Sequence, residues 1–209
     1  MLTAAEEEAL RVLSLCVPIA SHRQIARLWS DRSGSTGVVP RLTRLQKTGL
    51  VGQAHAAAIE LPELVQPLVE WRPGEWTPEF GAVAWSLRRR WRNAATPVDF
   101  FYATARCARL YGGRRTGFVS YAGQISHDLG IMEMFLAFKR LSPHLIKLWV
   151  DENRLAPFRR GEKLPDAVLA DSPGSLPLRV LEFGGRYGKV RLQAFHDDCE
   201  ARGLPYEIW

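Results

Sequence analysis

Apolar and polar positions over the first fifty residues repeat with a helical period. Ala5, Leu10, Val12, Leu13 and Leu15 recur among acids over residues 4–15, which predicts a first helix. "SHRQIARLW" follows, with Ser21 placed to cap a second helix and Gln24 at its third position, a capping-box arrangement. Ile25 and Leu28 mark its buried face. In "SGSTGVVPRLTRLQKTGLV", Ser35 or Thr36 can cap a third helix, and Pro40 is tolerated only in a first turn. Val38, Leu42 and Leu45 fall at i, i+4 and i+7, one apolar stripe, and Gly49 ends the helix. Three short helices followed by "LVGQAHAAAIEL" predict a helix-turn-helix with a candidate wing.

Further along, Pro73-Gly74 is a turn dipeptide between "PLVEW" and "EWTPEF". Residues 79–92 read as a helix ending in "LRRRWR", and "NAATPVD" reads as a linker. Residues 98–111, with Phe100, Phe101, Ala105 and Leu110 apolar, read as another helix. "YGGRRTG" is a loop, "RTGFVSYAGQ" a short strand, and Ser126 the expected cap of "HDLGIMEMFLAFKRL". "PHLIKLWVDEN", "DAVLA" and "LRVLEF" read as three strands, followed by a helix over about 186–202 and a last strand, "PYEIW". Such a meander pairs antiparallel, and the crossover helix returns the last strand parallel to an earlier one. The expected class is α+β, with domains over 1–96 and 97–209.

Charge sharpens the first half. The 209-residue chain carries +6 with a pI near 9.5, compatible with a polyanionic partner. Residues 21–48 hold six Arg or Lys against one Asp. Arg41, Arg44 and Lys47 recur every three residues away from the apolar stripe, where long cations can reach phosphates and base edges, and Arg23 adds to them. A helical bundle with a solvated basic face has the same pattern. "LRRRWR" can track a phosphate backbone or complement a helix C-terminal dipole. Cys16, Cys107 and Cys199 are odd in number and far apart, which fits reduced thiols. The first residues have no basic n-region and no long apolar core, so a cytoplasmic protein without a membrane anchor is expected. "HDDC" has a spacing zinc can use, but no second Cys/His pair accompanies it.

Two acids, Asp166 in "KLPDAVLA" and Glu182 in "VLEF", stand on neighbouring predicted strands. The order αβββαβ, with "PD" on one strand and an acid on the next, resembles the PD-(D/E)XK nuclease superfamily. The chain as a whole is similar to the replication-relaxation family of plasmid and mobile-element proteins, through "RQIARLW", "RLTRLQKTGLV", "SHDL", "WVDENRL", "LPDAVL" and "VLEFGGRYGKVRL". That resemblance implies an N-terminal winged helix-turn-helix followed by an αβββαβ restriction-endonuclease-like core, acting on double-stranded DNA. It implies Mg²⁺ or Mn²⁺ held by Asp166 and Glu182 with Glu152 as third acid, the metal neutralising phosphate charge and supplying a nucleophilic water. One position departs from the pattern. The lysine expected two residues after the second acid is Gly184. Lys189 is the candidate substitute beside Asp166, Glu182 and Glu152 in a catalytic set, and Arg186 is a second cation for nucleic acid. Tyr187 could hydrogen-bond a phosphate.

Two functions follow as expectations. One is a DNA-binding protein with a metal-dependent endonuclease-type site, serving plasmid or mobile-element DNA transactions. The other is a non-catalytic DNA-binding regulator or accessory factor on a degenerate nuclease fold. A homodimer, and partner proteins of a mobile-element or defence system, are compatible with either.

Overall fold

The computed structural model describes residues 2–33, 37–59, 61–113 and 122–209. In chain order the elements are α1 (Ala4–Leu15), β1 (Ala20–Ser21), α2 (His22–Ser33), α3 (Val38–Lys47), β2 (Val51–Ala58), β3 (Val69–Trp71), α4 (Phe80–Arg90), β4 (Thr96–Ala103), α5 (Ala105–Tyr111) and α6 (Ala122–Leu141). They continue with β5 (Trp149–Asp151), α7 (Glu152–Leu155), β6 (Ala167–Leu169), β7 (Arg179–Glu182), α8 (Lys189–Ala201) and β8 (Tyr206–Ile208). The class is mixed α+β, and among the described residues no helix is long and apolar enough to cross a membrane.

The chain forms two compact units, each built from two segments: Met1–Glu60 with Ala95–Leu136, and Leu61–Ala94 with Ala137–Trp209. The expected division at 96/97 does not coincide with them. Strand pairing is the reason. β4 pairs with β2 over eight residues, from Val51↔Ala103 to Ala58↔Thr96, and so belongs with the first unit. β3 pairs with β8, Val69↔Ile208, and carries the segment before residue 95 into the second.

In the first unit the helix starts follow local chemistry. Thr3 and Glu6 form a capping box on α1, and Ser21 and Gln24 form the predicted one on α2. α3 starts after Gly37 (φ 123°); Ser35 and Thr36, the expected caps, lie outside the described residues. Its end is the expected glycine stop. Gly49 takes φ 70°, its N–H donates to Gln46 O at 2.8 Å, and Leu50 N–H donates to Leu45 O at 3.2 Å. Val38, Leu42 and Leu45 are buried, as the stripe predicts.

The sheet is antiparallel in the order β1-β4-β2. Residues 98–111 are therefore not one helix. Through Ala103 the chain is the central strand, whose backbone groups are taken up on both sides, and only then does Thr104 cap α5 by accepting the N–H of Cys107 at 3.2 Å. Ser126 is not a cap either. It sits inside α6, and its Oγ accepts the Ile59 N–H at 2.9 Å. Most of the strand expected in "RTGFVSYAGQ" lies outside the described residues.

In the second unit the sheet order is β3-β8-β7-β6-β5. β5, β6 and β7 pair antiparallel, α8 crosses over, and β8 lies parallel to β7. Three strands, a helix and a last strand follow in the expected order, with β3 added as an antiparallel edge, but the expected leading helix, α6, lies mostly in the first unit, and the expected strand "PHLIKLWVDEN" keeps only Trp149–Asp151 before Asp151 caps α7. The Pro73-Gly74 turn is tight: Gly74 takes φ 90° and Glu75 N–H donates to Arg72 O at 3.0 Å. Val150, Val168, Val180, Tyr206 and Ile208 share a core with Phe80, Ala84 and Leu87 of α4 and Leu192 and Phe195 of α8.

Candidate functional site

Strand register sets the acids. Ala167 pairs with Leu181, so one residue further Asp166 stands opposite Glu182 at the sheet's end. Asp151 pairs with Ala167, and the Glu152 N–H donates to Asp166 O at 3.2 Å, extending the row to a third strand end. Asp166 and Glu182 are buried. Asp166 Oδ2 accepts the N–H of Phe183 at 2.7 Å. Glu182 Oε1 accepts from Tyr187 Oη at 2.9 Å, and Tyr187 Oη accepts from Arg191 Nη2 at 2.9 Å. The Arg191 guanidinium lies 3.8 Å from the Tyr187 ring centroid. Burial first, and then the charges of Glu182 and Asp166, push the Tyr187 phenol well above its ordinary pKa, so it remains a proton donor to Glu182.

Glu152 joins this row through its backbone N–H. It opens α7 with an exposed side chain, while Asp151 caps that helix by accepting the Arg154 N–H at 3.1 Å. Among the described residues no three His, Cys, Asp or Glu side chains converge closely enough to hold a metal ion. Asp166 and Glu182 come together; Glu152 does not complete a shell with them. Lys189, the candidate substitute cation, is the exposed first residue of α8.

Gly184, where the resemblance implies a lysine, is closely packed. A Cβ on Gly184 would lie 2.4 Å from Leu87 Cδ2 and 2.7 Å from Cδ1. α4 is pressed onto this turn, where Trp91 Nε1 donates to Gly184 O at 3.3 Å and Arg186 Nη2 donates to Trp91 O at 3.2 Å. Arg186 is thus already engaged in holding the turn. Arg90 escaped the sequence reading. Its guanidinium is turned inward, 5.4 Å from the Phe183 ring centroid, and burial pushes it down to about 10. Its Nη1 is buried without a hydrogen-bond partner among the described residues. "LRRRWR" signalled cations there, but not which of them faces inward.

The basic residues of the first unit differ among themselves. Arg23 lies 3.6 Å and Arg27 2.6 Å from carboxylate oxygens of buried Glu133, which also accepts from Gln24 Nε2 at 3.0 Å. Arg44 pairs with buried Glu6. Burial raises the Glu6 carboxyl, but bonds from Arg44 and Thr3 outweigh it and leave its pKa below the ordinary value. The Arg41 guanidinium lies 5.6 Å from the Trp29 ring centroid. Lys47 is exposed, as are Thr43 and Val39 one and two turns earlier.

No family model, curated protein or solved structure matches the chain.

Proposed function

We propose that this protein is a duplex-DNA-binding regulator or accessory factor, in which a winged-helix unit grips DNA and a nuclease-like unit serves as a scaffold. The contact between Leu87 and Gly184 carries the proposal. A nuclease of the pattern needs a cation two residues beyond its second acid, and α4 occupies the space where that side chain would begin. Asp166 Oδ2 and Glu182 Oε1 already accept protein hydrogen bonds, which supports the same reading. The winged-helix part is supported by the sheet order β1-β4-β2, by β2 and β4 as a long ribbon after α3, and by the exposed Thr43 and Lys47 on α3. Plasmid or mobile-element DNA is the setting that the motif resemblance suggests.

The second reading is a metal-dependent endonuclease, favoured by the row of Glu152, Asp166 and Glu182 at neighbouring strand ends. Two converging carboxylates fit Mg²⁺ or Mn²⁺ only if water or phosphate oxygens supply the other positions. One experiment separates the readings. Supercoiled plasmid is incubated with the protein and Mg²⁺ or Mn²⁺, beside a duplex-binding titration across salt. Binding without nicking is expected. Nicking that disappears in Asp166→Asn would establish the endonuclease instead.

A further inference from the structure

The outer face of α4 joins one aromatic ring to three exposed cations. Trp85, Arg88, Arg89 and Arg92 stand at i, i+3, i+4 and i+7, and all are exposed, Trp85 by 52%. Phe80, Val83, Ala84 and Leu87 on the other side are buried. The Arg89 guanidinium lies 4.6 Å from the Trp85 ring centroid. No carboxylate among the described residues pairs with Arg88, Arg89 or Arg92. Elsewhere in this unit Arg72, Arg140 and Arg179 have acids, Glu70, Glu63 and Glu207, and exposed Arg186 and Arg191 donate to Trp91 O and Tyr187 Oη, while exposed Arg160 has no acid among the described residues. Glu79, the acid at the start of α4, spends Oε1 on the Gly81 N–H at 2.9 Å.

The helix dipole favours cations in a last turn, but it gives no reason to hold a large ring in solvent beside them. Like charges gathered on one face repel one another unless an anion lies between them. A polyanion answers the charge. A duplex offers phosphates but keeps its bases stacked within, whereas a single strand offers phosphates and open base faces together.

We propose that Trp85, Arg88, Arg89 and Arg92 form a docking face for single-stranded nucleic acid, with a base stacked on Trp85 and backbone phosphates on the arginines. This goes beyond duplex docking by α3 and does not depend on it.

The test uses the full chain with a short fluorescein-labelled oligothymidylate and a labelled duplex, followed by anisotropy. Trp85→Ala is expected to weaken oligothymidylate binding about tenfold, and Trp85→Phe to retain most of it. Replacing Arg88, Arg89 and Arg92 with Gln is expected to flatten the logarithmic salt dependence by about two units. Duplex affinity should hold in all three variants, whereas Arg41→Gln/Lys47→Gln should lose duplex and keep oligothymidylate. Unchanged oligothymidylate affinity in both the Trp85→Ala and the arginine variants overturns the proposal, as does a wild-type protein that does not bind the strand. A dimer that dissolves in Trp85→Ala, without any oligonucleotide binding, would assign the face to a second copy of the chain.

Discussion

Leu87 Cδ2 fills the space in which a side chain on residue 184 would have to begin, 2.4 Å from where its Cβ would lie. Real Cβ atoms do not approach carbon that closely, so a larger residue must turn the buried Leu87 side chain out of its place or move α4 or the turn after β7. Gly184→Ala should therefore cost about 1–3 kcal/mol in urea denaturation, the usual range for overpacking. Leu87→Ala alone should cost about 2–5 kcal/mol through the cavity it leaves. Combined, the two substitutions should cost less than their sum, because each relieves the other. Strict additivity would mean that the close approach does not set the choice of glycine.

Tyr187 joins Glu182 to Arg191. Tyr187→Phe removes a donor from a buried carboxylate and should destabilise by about 1–3 kcal/mol at neutral pH. The phenol also has a pH signature. Its folded pKa is raised, so its contribution is complete below the ordinary tyrosine value of 10.0 and is lost as pH rises through the folded value. Wild-type stability should fall more steeply above pH 10 than that of Tyr187→Phe, followed by thermal melts. Parallel curves would show that the phenol's environment is unchanged by folding.

Glu6 works in the opposite direction. Its folded pKa lies below the ordinary 4.5, so its stabilisation is present above that value and is lost as pH falls through the lower folded one. Arg44 is half exposed, so solvent screens the pair, and the capping bonds with Thr3 share the effect. Glu6→Gln should cost about 1–3 kcal/mol at neutral pH. Melts between pH 6 and pH 3 should then show a shallower decline for the variant than for the wild type.

The same pair separates two cations that look alike along α3. Lys47→Gln should reduce the salt slope of duplex binding by about one unit and leave the melting temperature unchanged. Arg44→Gln should lower the melting temperature as well, because it strips buried Glu6 of its cation. Equal melting temperatures for the two variants would remove the structural role given to Arg44.

Features that depend on neighbours in the chain were legible in the sequence. The stripe of Val38, Leu42 and Leu45, the Ser21–Gln24 box, the Gly49 stop and the Pro73-Gly74 turn all rest on interactions spanning a few residues, so short-range periodicity and capping chemistry specify them. The strands β6 and β7, the helix α8 and the strand β8 were readable for the same reason, since their apolar runs are separated by clear breaks, whereas "PHLIKLWVDEN" read as one strand and is a three-residue strand followed by α7. Position 98–103 was different. Its phenylalanines suit a helix or a strand, and pairing with β2, more than forty residues earlier, decided between them. Likewise, only the β3–β8 ladder assigns residues 61–94 to the second unit. The acids Asp166 and Glu182 could be named in advance, but their facing register, the phenol on Glu182 and the leucine against Gly184 arise from packing between distant segments. Tertiary structure also divided the arginines, turning Arg90 inward, tying Arg44 to Glu6 and leaving Arg88 and Arg92 in solvent. Charge is a property of the residue, but what that charge meets is set by close packing and long-range pairing, which no local pattern encodes.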